Sequence, residues 1–331
     1  MLVAKSNDQF VNAFNANKRE EYYCPECGEQ LILKKGKCKV AHFAHGVNSK
    51  CQLQKGESYE HLLGKQQIFE WARQNNWYPE LEVYISSLKQ RADVLLNVQG
   101  RQVAIEFQCS PLSLIDLQER TRGYEKLGIK CYWFLGSPYE LKIHQRQTQK
   151  FIQLLNNRYR LIFWNIKSAA IKIVNATIWE QRLNLRQINK NYRTLHQLIS
   201  LPETKMNFLR NGLPLICHQR LRGIQVTKHP EIYWRYLVCR KLADIPLFTS
   251  FSQTSWIKML RKVEASEWVI FPCLPPMILI NTYLRLFTGQ LIRCGIIVRR
   301  KKRIILVKYP RSSRSLAEQE QEVQKLLSGY Q

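Results

Sequence analysis

The chain has 331 residues, 45% of them hydrophobic and 23% charged, which excludes disorder as the default and leaves room for two or three domains. Lys and Arg number 51 against 25 Asp and Glu, a net charge of +26. The excess is uneven, about +3 over residues 1–50, +2 over 51–150 and +21 over 151–331, so a polyanionic partner is expected for the last segment.

Met1-Leu-Val-Ala offers only four apolar residues before Lys5, which is no secretory signal. The most apolar run, Trp268 to Leu284, is interrupted by Pro272, Pro275 and Pro276. It falls short of the roughly 20 unbroken apolar residues of a spanning helix. Ten cysteines without a signal peptide do not make a disulfide framework. A cytoplasmic location without membrane insertion is expected.

The first segment, 1–54, carries Cys24-Pro-Glu-Cys27-Gly28. Two thiolates at this spacing can reach one metal, and Gly28 permits the turn that aims backbone amides at sulfur. A hairpin is predicted over Leu31 to Lys39, followed by His42-Phe-Ala-His45 and Cys51. A structural Zn²⁺ is expected on four of Cys24, Cys27, His42, His45 and Cys51, making the segment a zinc-ribbon-like anchor. Cys38, among lysines in the predicted strand, is set aside. The alternative is a knuckle that has lost its metal and packs its histidines in a core.

The second segment, 55–147, alternates helix and strand patterns as an α/β unit does. Leu62, Ile68, Phe69 and Trp71 make an apolar helical stripe, and Glu57, His61 and Lys65 recur at i, i+4 and i+8 on one face. Strands are predicted over Leu81 to Leu88, Arg91 to Asn97 and Arg101 to Ser110. In the last of these Val103, Ile105 and Phe107 face one way, and Glu106 and Gln108 the other. A carboxylate inside an apolar strand is costly unless it is paired or holds a metal. Asp93 and Glu106 are expected to converge, with Glu57 completing a shell suited to Mg²⁺ or Mn²⁺. Read structurally instead, Asp93 pairs with an arginine such as Arg91 and Glu106 is solvated on an edge strand. A helix over Leu114 to Leu127, ended by Gly128, places Arg120 and Tyr124 one turn apart, and Ile129 to Leu135 reads as a buried strand. Arg120 either touches a phosphate or makes a salt bridge near Glu119 or Glu57.

The third segment, 148–331, shows mostly helical periodicity with a late strand-like run, Leu291 to Val298 and Ile304 to Val307. Between them Arg299, Arg300, Lys301, Lys302 and Arg303 fit the turn of a basic hairpin, the best single candidate for a phosphate contact. Runs such as Tyr233-Trp-Arg-Tyr236 pair charge with aromatics. The aromatics are expected in the core and the arginines on the surface. Cys217, His218 and Cys239 lack a second ligand pair and are expected to pack.

The order helix-Glu, strand-Asp, strand-Glu-x-Gln resembles the PD-(D/E)XK nuclease superfamily, with Gln108 where its lysine usually stands. Together with Cys24-x2-Cys27, Gly36-x5-His42-Phe-Ala-His45, Glu57-x3-His61-x3-Lys65, Arg91-Ala-Asp93, Ile105 to Ser110, Glu119-Arg-Thr-x2-Tyr124 and Trp133-Phe-Leu, it resembles the competence protein CoiA family over about residues 20–140. The resemblance implies an α/β fold with a restriction-endonuclease-like core and a basic, mainly helical C-terminal domain. It implies promotion of recombination of imported DNA during natural transformation, by a metal-dependent deoxyribonuclease acting on single-stranded or branched DNA alongside recombination or uptake machinery. Asp93 and Glu106 then bind metal, Gln108 takes the lysine position, Glu57 orients metal or water, and His61 lines the site. Lys65 restores the charge that Gln108 lacks. Because an amide cannot replace an ammonium, binding without cutting is the competing reading, and an RNA-processing factor is a third.

Overall fold

The computed structural model describes residues 1–36, 40–49, 51, 57–181 and 213–311, with the single positions 194, 197, 318 and 321. Cys38 lies outside the described residues. The chain divides into two units, one of Met1–Ala176 with Phe271–Leu274, the other within Thr177–Ile270 and Pro275–Gln331.

In the first unit, short strands β1 (Val3–Ser6), β2 (Gln9–Asn12), β3 (Tyr22–Tyr23), β4 (Gln30–Lys34) and β5 (His42–Ala44) form a sheet of order β2-β1-β3-β4-β5. Helix α1 (Tyr59–Gln74) follows, then β6 (Glu80–Ile85), β7 (Gln90–Val98), β8 (Arg101–Gln108), α2 (Leu114–Lys126) and β9 (Lys130–Leu135). Two single-turn helices, α3 (Ser137–Glu140) and α4 (Arg146–Gln149), lead to β10 (Gln153–Leu155), β11 (Arg158–Asn165) and β12 (Ala170–Asn175). The larger sheet has the order β10-β11-β9-β8-β7-β6, with β12 on β11. Strands β6, β7 and β8 form an antiparallel meander, whereas β8 and β9 run parallel. A parallel neighbour needs a crossover, and α2 supplies it.

The helices begin where polar side chains meet otherwise unpaired amides. Ser58 caps α1 by accepting from His61 N, and Ser113 caps α2 by accepting from Asp116 N. Past the end of α2, Gly128 adopts φ +69°, the left-handed conformation that stops the helix. One sheet face packs Leu81, Val94, Leu96, Ile105 and Phe107 against Leu62, Ile68 and Ala72 of α1. The other face packs Ala92, Leu95 and Ala104 against Tyr124 of α2. The predicted alternation of β8 therefore holds.

The sheet continues past residue 147, because β11 pairs in parallel with β9 through Ile162 and Phe163. Residues 1–54 join the same unit, since Leu2 and Val3 lie in the α1-side core.

In the second unit, β13 (Ile178–Gln181) pairs with β14 (Arg220–Gly223) around single-turn α5 (Leu215–His218). Then come α6 (Glu231–Ala243), β15 (Ser250–Ser252), α7 (Gln253–Lys262), α8 (Ile278–Arg293) and the hairpin β16 (Ile297–Arg300), β17 (Arg303–Leu306). Among the described residues of this unit helix exceeds strand, with short strands interspersed. Leu291, expected in a strand, ends a core-facing stripe of α8, and the strand starts only after Gly295 turns the chain at φ +64°. Trp234, Tyr236, Trp256, Tyr283 and Phe287 fill the core as expected. Arg235 is buried with them rather than on the surface, stacked 4.8 Å from the Phe287 ring and 3.7 Å from Glu231. Among the described residues no helix is long and apolar enough to cross a membrane.

His218 is 1% exposed, and burial lowers its pKa to about 4. The unfolded chain, with an ordinary histidine near 6.5, takes up a proton between those values that the folded chain does not. Stability is then complete above about pH 6.5 and falls as pH drops toward 4, by roughly 3 kcal/mol from this residue. Urea unfolding of the parent and of His218→Gln across this range is expected to show the smaller pH dependence in the variant.

Candidate active site and metal centre

Glu57 lies just before the Ser58 cap of α1, and His61 and Lys65 follow on the adjacent face. The helix approaches β8 closely at Gly64, where a Cβ would fall within the Phe107 ring. His61 accordingly stacks on Phe107, with ring centroids 5.9 Å apart, and reaches β7. Its Nε2 lies 3.3 Å from Asp93 Oδ2 and its Nδ1 2.9 Å from Glu57 Oε1. Asp93 Oδ2 also accepts from Phe107 N at 2.9 Å, which pins the carboxylate to the sheet.

Lys65 is fully buried and its Nζ lies 2.5 Å from both Glu57 Oε1 and Glu82 Oε1, and 4.0 Å from Asp93 Oδ1. Glu82 is the one central member not singled out from the sequence. An acid inside the apolar strand Leu81-Glu82-Val83 carries the same signal that marked Asp93 and Glu106. The sheet alternation breaks at this point. Leu81 pairs with Val94 on the α1 face, and Val83 with Ala92 on the α2 face, although a single residue separates each pair along its strand. Glu82 has φ +52° there, a left-handed conformation that re-aims its side chain toward α1. Its Oε2 accepts from Leu2 N at 2.8 Å and Val3 N at 3.1 Å, binding β1 to the larger sheet.

Charge sets the protonation of the cluster. Burial opposes an imidazolium, but Asp93 and Glu57 outweigh it and raise the His61 pKa to about 9. Burial likewise opposes the Lys65 ammonium, and Glu82, Glu57 and Asp93 reverse that and raise its pKa. Burial pushes the Asp93 carboxyl up, while His61 and Lys65 hold it down at about 2. Glu57 is also held below the carboxylate range against burial, chiefly by Lys65 and His61. Donor atoms of Glu57, His61 and Asp93 lie within 4.8 Å of one another and can hold a metal ion.

Glu106 does not join this group, contrary to the expected convergence with Asp93. It faces α2, is 3% exposed, lies 2.5 Å from Arg120 Nη2, and accepts from the Tyr124 hydroxyl. Strand alternation is the reason, since Glu106 shares the Ala104 face, whereas the break at Asp93 turns that carboxylate to α1. Arg120 also donates to Arg91 O at 3.0 Å, so its salt-bridge reading is met with Glu106 in place of Glu119 or Glu57. Gln108 donates to Ser110 O at 2.7 Å and to Ser110 Oγ at 3.2 Å.

A second group that can hold a metal comprises Cys24, Cys27, His45 and Cys51, also with donor atoms within 4.8 Å of one another. Gly28 at φ +73° closes the Cys24–Cys27 turn, and Cys27 Sγ lies 3.4 Å from His45 Nε2. His42 stays outside it. It sits on β5 beside core residue Phe43, with Nδ1 2.8 Å from Val40 O, whereas His45 follows the strand end and reaches the turn. In the second unit, Arg299, Arg300, Lys301, Lys302 and Arg303 form the expected hairpin and are all exposed. Lys301 takes φ +53° in the turn, and Arg303 Nη2 donates to Ser250 O at 3.0 Å.

Residues 57–205 match the family model described as competence protein CoiA, nuclease-like domain, and residues 6–54 the one described as competence protein CoiA, N-terminal domain. The chain is 38% identical over 146 residues to competence protein CoiA of Bacillus subtilis (strain 168), a match spanning 44% of this chain and 38% of that protein. No solved structure matches.

Removing one partner of a buried ion pair strands the other, at about 3–5 kcal/mol. Lys65→Met is expected to destabilise the first unit on that scale. Adding Glu82→Gln is expected to recover part of the loss in urea titrations, and strict additivity of the two changes would contradict a shared network.

Proposed function

The chain belongs to the competence protein CoiA family, and on that premise we propose that it is a metal-dependent deoxyribonuclease that promotes recombination of incoming DNA during natural transformation. The observation that carries this reading is the meeting of Glu57, His61 and Asp93 beside the buried ammonium of Lys65. The α1–β6–β7–β8–α2–β9 order supports a PD-(D/E)XK core around it.

The residues fit a divalent ion. Glu57 Oε2 is buried and ion-paired with the Met1 amino group at 3.1 Å. Two carboxylates suit Mg²⁺ or Mn²⁺, and His61 would join them on releasing the proton that Asp93 and Glu57 hold on it. Glu57, Asp93 and His61 would hold the ion, which supplies Lewis acidity toward phosphate and a nucleophilic water near neutral pH. Asp93 is oriented for this by Phe107 N, leaving Oδ1 on the Lys65 side. Lys65, kept charged by Glu57 and Glu82, provides the positive charge that the Gln108 amide cannot, and would stabilise charge building on a scissile phosphate. Glu106, in this reading, acts through Arg120 and Tyr124 to hold α2 on the sheet.

A second reading, DNA binding without cleavage, is favoured by one observation. Glu106 and Gln108, the two positions of the superfamily pattern on β8, are engaged away from Asp93. End-labelled single-stranded, duplex and branched DNA with Mg²⁺ or Mn²⁺ separates the two. Metal-dependent products are expected, reduced at least about 100-fold in Asp93→Ala and Glu57→Gln, the scale of losing a group that positions or stabilises reacting charge. DNA affinity should stay near the parent value. Tight binding without products in either metal would establish the second reading.

Three thiolates and one imidazole support a structural zinc on Cys24, Cys27, His45 and Cys51. Elemental analysis of the purified chain is expected to find about one zinc per molecule. It should be retained in His42→Ala and lost in His45→Ala. Retention in both would leave the site to the cysteines alone.

A further inference from the structure

A cleft of about 580 Å³ opens in the second unit between α6 and α7. Each helix lines it with residues one turn apart, Leu237, Arg240 and Lys241 from α6 with Asp244 at its C-terminal cap, and Ser255, Lys258, Met259 and Lys262 from α7. The floor is apolar and half-buried, made of Leu237, Met259 and Val263. The rim is exposed and carries four cations against two acids, Asp244 and Glu264. Among the described residues none of the four cations makes an ion pair, whereas Arg235 one face away pairs with Glu231.

Basic residues in a last helical turn also answer the helix dipole. That accounts for Arg240, Lys241 and Lys262 taken singly. It does not account for Lys258, one turn earlier, nor for an apolar floor beneath four unpaired cations. A site with cations around a greasy floor matches a ligand that is anionic along one edge and flat and apolar along the other. A single nucleic-acid strand has that chemistry, with phosphates for the rim and bases for the floor.

We infer that the α6–α7 cleft binds a segment of single-stranded DNA, phosphates on Arg240, Lys241, Lys258 and Lys262 and bases on Met259 and Val263. The inference rests on the DNA-processing reading above but not on cleavage. The basic hairpin meets the start of α7, because Ser252, which caps α7, pairs with Arg303 of β17. Helix α7, with ten residues, is about 15 Å long, so a strand running along it passes several phosphates between hairpin and cleft.

The test is fluorescence anisotropy with labelled oligo-dT on the full chain, without added Mg²⁺ or Mn²⁺ so that no cutting intervenes. Lys258→Ala with Lys262→Ala is expected to weaken binding roughly 10-fold and to flatten the slope of log affinity against log salt by about 1.4, two single-strand phosphate contacts. Neutralising two exposed cations of the first unit, Arg101→Ala with Lys126→Ala, should leave both unchanged. Met259→Trp should add tryptophan emission that saturating oligo-dT quenches. Parent-like affinity and slope in the cleft variant, or an unquenched Met259→Trp, would overturn the inference. So would loss of binding to phosphatidylserine vesicles with oligo-dT binding intact, which would make the cleft a lipid site. If no variant of the chain cuts DNA but the cleft variant loses oligo-dT, the nuclease reading fails and the cleft stands.

Discussion

Lys65 is an ammonium with no exposed surface, and it stays in the interior because two carboxylates, Glu57 and Glu82, each lie 2.5 Å away. Neither acid nor base in this group would tolerate burial alone, since removing an ion from water costs several kcal/mol. The geometry of the first unit follows from keeping them together. Helix α1 must lie close to the sheet, which Gly64 permits, and the sheet must break its alternation so that Glu82 and Asp93 point toward the helix. The same Glu82 carboxylate takes the amides of Leu2 and Val3, so the N-terminal strands are attached through the charge cluster as well as through apolar packing.

The arrangement also separates two kinds of acid on adjacent strands. Asp93, on the α1 side, keeps an imidazole and an ammonium nearby and remains ionised, which is what a metal or a phosphate-handling site requires. Glu106, on the α2 side, is consumed by Arg120 and Tyr124, a pairing that ties helix to sheet. The ammonium near Asp93 comes from helix α1, at Lys65, while Gln108 on β8 is bonded to Ser110. Around that charge, Glu57 and His61 come from the helix and its entry, and Glu82 and Asp93 from the sheet.

Charge is divided unevenly between the units. The first unit has 25 Lys and Arg against 16 Asp and Glu, and the second 26 against 9. The second carries most of the excess positive charge, part of it exposed on a hairpin turn and around the α6–α7 cleft.

Much of this was legible in the residues themselves. The helical spacing of Glu57, His61 and Lys65, the turn at Cys24 and Cys27, the alternation of β8 and the basic hairpin are local periodicities, set by 3.6 residues per turn or two per pleat. Those features depend on neighbours a few residues apart, and local pattern determines them. Tertiary structure alone decided which acid meets which cation. Asp93 and Glu106 look equivalent along the chain, and only the break in alternation opposite Glu82 sends one to α1 and leaves the other to α2. It likewise decided between His42 and His45, since the choice depends on where β5 ends relative to a turn near residue 27. It carried the sheet past residue 147 as well, because β9 offered an edge that β11 could join in parallel. Contacts between distant segments are settled by packing, and no periodicity within a segment encodes its partner.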